Sequence, residues 1–258
     1  MTNAMDMMLN DLEALLVLKL ADDKLFLGHI QSDWTGLGPI LEEDIASSSM
    51  AQDDLSHALV LYEYLGSRFS IDPDVLAYER LPSQYLCCDL VTVPDDFDWA
   101  KALIRRWFFA HYAAPVLDQL ALFNDSDLVE RCRRLRAEES LHISYLNDWM
   151  QRLSSGSKEA IVRLQNAIDF MSDDARMLFE LPGMILNVDR PSFDGREELF
   201  NEWSSSTHEI LSTTNLKTNI TLPTTTVKGG RNGVHADHFI AQLTEMNEVR
   251  CKDPGAAW

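Results

Sequence analysis

Apolar residues recur every three or four positions over four long stretches of the chain, and the breaks between those stretches are marked by glycine, proline and small polar residues. In the first stretch, residues 6–29, Met7, Met8, Leu12, Leu15, Leu16, Leu18 and Leu20 keep helical spacing, which predicts a helix A with only Gly28 as a breaker. Two glycines and Pro39 then mark a loop over residues 31–39. Helix B follows over residues 40–69, its first turns loaded with Glu42, Glu43 and Asp44 at the positive end of the helix dipole. Residues 70–98 contain Pro73, Pro82 and Pro94 and no long period, so they read as a long connection with one short helix over 75–80. Helix C spans about 96–123 with a broad apolar face that includes Trp99, Leu103, Trp107, Phe108 and Val116, and Pro115 is its candidate kink. Helix D follows the short Asn124-Asp125-Ser126 stop and ends at Ser154-Ser155-Gly156-Ser157. Four such helices, with a long connection between the second and third, predict an all-α four-helix bundle with a long B-to-C crossover.

The bundle occupies about residues 6–155 of a single domain, 1–258. The remainder, about 156–258, is expected to form additional C-terminal helices over 158–179 and 192–212, a mobile or extended Thr/Gly/Asn-rich stretch over 213–233, and a last amphipathic helix over 235–249. Phe239, Ile240, Leu243 and Met246 fit that last helix for docking on the bundle or on another chain. A hydrophobic content of 46% is ample for a core. No apolar run of about twenty residues predicts a membrane span, and the N-terminus lacks the features of a secretory signal. Cys87, Cys88, Cys132 and Cys251 have neither zinc-site spacing nor a disulfide framework, so a cytoplasmic protein is expected. A formal charge of −19 disfavours nucleic acid and anionic lipid as partners and favours a protein with a cationic face.

Two pentads carry the candidate chemistry: Asp53-Asp54-Leu55-Ser56-His57 on helix B and Glu138-Glu139-Ser140-Leu141-His142 on helix D. Each sets carboxylates three and four residues before a histidine, which places them on one helix face, one turn apart. In di-iron carboxylate bundles, two helices each give a Glu-x-x-His pair and the other two a lone carboxylate. Asp54-x-x-His57 and Glu139-x-x-His142 match the pair, and Asp22 and Asp23 on helix A supply the lone carboxylate. Helix C breaks the pattern, because no Asp or Glu lies between Trp99 and Leu117 and the nearest polar groups are Arg105, Arg106 and His111. A cation cannot replace a carboxylate ligand, but it can replace the metal's charge. Three readings stay open on these residues: solvated or capped helix faces with no joint role, a metal-free polar core, in which Arg105, Arg106 or His111 bridges to Asp53 and Glu138, and a working di-iron centre. His235-Ala236-Asp237-His238 looks like a short metal clip, although capping and packing roles are commoner for such a pair. Gly229-Gly230-Arg231-Asn232-Gly233 lacks the preceding strand of a phosphate loop and reads as a flexible turn. Trp34, Trp107, Trp149 and Trp203 fall at core positions.

Several segments together resemble a known family, the structural C subunits of phenylacetyl-CoA epoxidases. They are Leu41-Glu42-Glu43-Asp44-Ile45-Ala46, the Asp53 to His57 segment with Leu61-Tyr62-Glu63-Tyr64, and the Glu138 to His142 segment. The most specific segment is the tail: Gly233-x-His235-x-x-His238, Leu243-x-Glu245-Met246 and Pro254-Gly255-x-x-Trp258. The resemblance covers about residues 10–258. It implies a ferritin-like bundle that is structural and not itself catalytic, in a monooxygenase complex of phenylacetate catabolism. The implied partner is the epoxidase's catalytic A subunit, which holds the di-iron site, in a hetero-oligomer, with a homodimer for the chain alone. A reductase subunit supplies electrons from NADPH. On that reading this chain has no catalytic residue, no cofactor and no metal. Asp22, Asp53, His57, Glu138 and His142 are then degenerate di-iron positions, and Arg105, Arg106 and His111 candidate metal-replacing cations. The alternative is a self-sufficient di-iron oxidase or oxygenase using Asp22/Asp23, Asp53/Asp54, His57, Glu138/Glu139 and His142.

Overall fold

A computed structural model of the chain describes residues 2–180, 195–222 and 229–253. Among these residues it forms ten α-helices and no strand. The tail motif from Pro254 to Trp258, the Pro182-Gly183 stop and the expected start of the sixth helix lie outside the described residues.

Helix A of the sequence is two helices, α1 (Thr2–Leu9) and α2 (Leu12–Ser32). The break falls at Asn10, because Asp11 adopts an extended backbone and its carboxylate accepts from the Ala14 N–H at 3.0 Å, starting a new helix. α3 (Leu41–Phe69) ends at Ser70, which takes a left-handed conformation with φ 56°. The long connection holds α4 (Pro73–Tyr78), with Asp72 as its N-cap, and two short 3₁₀ turns. α5 (Trp99–Leu120) is capped by Asp98 and continues through Pro115. α6 (Ser126–Ser154) is capped by Asp125. α7 (Lys158–Arg176), α8 (Arg196–Ser212), α9 (Asp237–Met246) and α10 (Glu248–Lys252) complete the order.

The cross-contacts fix the topology. Lys24 meets Asp54 while Glu13 meets Tyr64, so α2 and α3 run antiparallel. Arg106 meets His142 while Asp118 meets Arg136, so α5 and α6 do too. The long connection between α3 and α5 returns the chain across the bundle, giving the ferritin-like arrangement. α2 and α5 are the interior helices. α2 buries residues on every side, including Asp22, Asp23 and Lys24, and so depends on internal partners for its charges. Trp34, Trp107 and Trp203 are buried as expected, and Trp149 packs edge-on against Trp99 with ring centroids 5.0 Å apart.

The segment expected to be a flexible turn is anchored instead. Arg231 is fully buried and its guanidinium donates to Asp23 at 2.7 Å and to the Leu86 carbonyl at 2.8 Å. A Cβ on Gly230 would come 2.2 Å from the Cys87 carbonyl oxygen, so only glycine lets the turn press this closely on the long connection. His235 stacks on Phe239 at 3.7 Å and hydrogen-bonds the Tyr85 carbonyl at 3.1 Å, a packing role for that histidine.

Candidate functional site

The pentads face each other across α3 and α6, and their residues sort into an inner and an outer layer. Asp54 and Glu139 are fully buried, His57 and His142 nearly so, while Asp53 and Glu138 are half-exposed. His57 Nε2 lies 2.7 Å from Glu138 and His142 Nε2 lies 2.9 Å from Asp53, so each histidine reaches across to the other helix's outer carboxylate. The two rings stack at 6.2 Å.

Inside this layer two cations hold the buried carboxylates. The Lys24 ammonium donates to Asp54 at 2.9 Å and to Glu139. Arg106 pairs with Asp54 and donates to His142 Nδ1 at 2.9 Å. The charges of four helices therefore meet at one place: Lys24 from α2, Asp54 from α3, Arg106 from α5 and Glu139 from α6. Ligand-type atoms of Asp54, His57 and Glu139 lie within 4.8 Å of one another, a spacing suited to one cation, and the Lys24 ammonium is bonded to both carboxylates of that trio.

The electrostatics follow from burial and pairing. Burial draws the Lys24 amine down to about 8, opposed mainly by Glu139, so it stays protonated at neutral pH. Burial alone would raise the Glu139 carboxyl, but Lys24, His142 and Arg106 together hold it well below the usual range. Burial, reinforced by Lys24, pushes the His57 imidazole down to about 4. His57 is thus neutral at pH 7, and the nitrogen facing Glu138 carries the proton and donates it. Its Nδ1 turns a lone pair inward with no partner among the described residues. In His142 the corresponding Nδ1 accepts from Arg106.

The other candidates stand elsewhere. Asp22 accepts from Arg80, from the Tyr62 hydroxyl at 2.7 Å and from the Leu86 N–H at 2.6 Å; Asp23 binds Arg231 and the Cys88 N–H at 2.9 Å. Neither reaches the pentads, because consecutive residues on a helix point about 100° apart and Lys24 is the one that faces α3 and α6. Arg105 pairs with Asp95 at 3.0 Å on the far side of α5. His111 bridges Ser206 and Asn147, each at 3.0 Å. Of the three expected cations only Arg106 enters the site, and it meets Asp54 and His142 where the sequence pointed to Asp53 and Glu138. Lys24 escaped the sequence reading because the two acids before it drew the comparison. Its separation of 30 residues from Asp54, across an antiparallel turn, was the available signal.

An antiparallel four-helix bundle with a long crossover, whose carboxylate–histidine pairs converge from two helices, has the architecture of the ferritin-like carboxylate proteins. Within that class the chain belongs to the phenylacetic acid catabolic protein family, whose profile it matches over residues 2–258. It is 25% identical over 244 residues to the C subunit of the 1,2-phenylacetyl-CoA epoxidase of Escherichia coli (strain K12), a match covering 93% of this chain and 97% of that relative.

Proposed function

We propose that this protein is a non-catalytic, cytoplasmic component of a multicomponent 1,2-phenylacetyl-CoA epoxidase, pairing with and stabilising the di-iron catalytic chain of that complex. The observation that carries this reading is the Lys24 ammonium bonded between Asp54 and Glu139. A di-iron centre in this architecture takes a carboxylate from each of the two helices that lack the histidine motif. Here those helices present Lys24 and Arg106, two fixed positive charges where ligands would have to bind cations. The residues present do not fit a metal pair, and the polar core holds the bundle in register while another chain does the chemistry. His57 Nδ1 and Glu139 Oε1 are left without a hydrogen-bond partner among the described residues, and one imidazole and one carboxylate oxygen beside an ammonium make a poor metal site. None of the described helices is long and apolar enough to cross a membrane.

Support for the pairing comes from the outside of α3 and α6, where Leu41, Ile45, Leu59 and Leu141 are all about half or more exposed. Exposed large apolar side chains along the outer faces of neighbouring helices suit a protein interface. Metal analysis of the purified chain, by itself and co-expressed with its catalytic partner, tests the reading. Iron is expected to track the catalytic partner only, and Ile45→Asp with Leu141→Asp is expected to weaken co-purification. Two irons per isolated chain, with oxygen-dependent turnover, would establish the self-sufficient oxidase instead.

A further inference from the structure

A second buried amine lies on α2, outside the polar core. Lys19 is only 3% exposed. Its Nζ approaches the Tyr112 ring at 5.6 Å, and among the described residues it makes no hydrogen bond or ion pair. Lys19 pairs with neither anion nearby: Asp23 pairs with Arg231 at 2.7 Å, and Glu180, which lines the same cavity, accepts through Oε1 from the Gly229 N–H at 3.0 Å and from Asn232 at 2.7 Å, leaving its Oε2 without a hydrogen-bond partner among the described residues. Buried ammonium groups ordinarily end on a carboxylate. This one borders a cavity of about 30 Å³.

The cavity's walls give it a chemical character. Leu16, Val116 and Leu199 make an apolar side, and Arg196 and Gly195 bring the start of α8 to it. Gly195 has no side chain with which to cap this 17-residue helix, so the first-turn N–H groups add positive potential. The Arg196 Nε is buried with no partner among the described residues. The acids of that turn, Glu197 and Glu198, are exposed and are not among the residues lining the cavity; the acid that does line it, Glu180, has its carboxyl raised by burial. Burial, with Arg231 adding to it, pushes the Lys19 amine down to about 7, so an arriving anion would also restore its full charge.

We propose that this cavity binds a small aliphatic monocarboxylate, its carboxylate on Lys19 with Arg196 and the α8 N-terminus at the rim, and its alkyl end against Leu16, Val116 and Leu199. Size limits the ligand. A water needs roughly 10–15 Å³ of such space, and a cavity that takes benzene is about 150 Å³. Acetate therefore fits and an aromatic acid does not. The site stands independently of the role proposed for the chain in the epoxidase.

Calorimetric titration of the full chain with sodium acetate, and in separate arms with sodium chloride and sodium benzoate at equal ionic strength, tests it. Saturable binding of acetate alone is expected. It should fall at least about tenfold in Lys19→Met and be lost in Val116→Phe, which fills the apolar end and keeps the amine. Lys19→Met removes an unpaired buried charge, so its Tm should equal or exceed that of the parent. No saturable acetate binding, chloride binding as well as acetate, or a lower Tm in Lys19→Met would each overturn the proposal.

Discussion

Lys24 stands where α2, α3, α5 and α6 meet, and its ammonium is the shared counter-charge of Asp54 and Glu139. Removing one partner of a buried ion pair costs roughly 3–5 kcal/mol, because the other charge stays buried and uncompensated. Lys24→Met should therefore lower the unfolding free energy by about that amount in urea titration, and Lys24→Met with Glu139→Gln should recover much of it. His57 gives a pH signature. Its folded-state imidazole titrates near 4 because of burial, against 6.5 for the free group. Between those values the unfolded chain binds the proton and the folded one does not, so stability is complete above about pH 6.5 and is lost as pH falls toward 4. Unfolding curves over that window should be flatter for His57→Gln than for the parent.

At the level of elements, the helices and their order were legible because long amphipathic periods, caps and proline breaks all point the same way. The pentads were legible for a related reason: three- and four-residue spacing alone places Asp54 with His57 and Glu139 with His142. Partner choice was not. α2 is buried all round, so periodicity says nothing about which of Asp22, Asp23 and Lys24 faces which neighbour, and only the packed bundle sends them to Arg80, Arg231 and the carboxylates respectively. α5 posed the same problem with Arg105, Arg106 and His111, all buried on different sides of one helix. If Lys24 and Arg106 occupy the positions of the two lone carboxylates, restoring acids there should restore a ligand set of two carboxylates and two carboxylate–histidine pairs. Lys24→Glu with Arg106→Glu is expected to gain cobalt(II) binding, read from the visible spectrum of the ion, where the parent shows none. Absence of binding in a folded double variant would mean that the helix positions do not correspond.

At the scale of the whole molecule, one chain of ion pairs ties the C-terminal region to the bundle. Asp23 on α2 holds Arg231, whose guanidinium also reaches the Leu86 carbonyl on the long connection, while Asp22 beside it holds Arg80. From that anchor the chain runs directly into α9, where Phe239 packs on Phe26 at 4.9 Å and on Tyr85 at 5.8 Å. The docking of α9 thus draws on a buried ion pair, a glycine too close to Cys87 for any side chain, an aromatic cluster, and hydrogen bonds from His235 to the Tyr85 carbonyl at 3.1 Å and from Gln242 to the Phe26 carbonyl at 2.9 Å. Arg231→Met leaves Asp23 buried without its counter-ion, again at roughly 3–5 kcal/mol, and removes a donor to the Tyr112 hydroxyl at 3.3 Å, but the ring–ring contacts within the bundle are kept. The loss should therefore fall on the C-terminal region first, as a local opening instead of global unfolding. Hydrogen exchange measured by mass spectrometry is expected to show faster exchange across 229–246 in Arg231→Met and in Gly230→Ala, with α3 and α6 unchanged. Uniform acceleration over all four bundle helices would show instead that this anchor is part of the global folding unit.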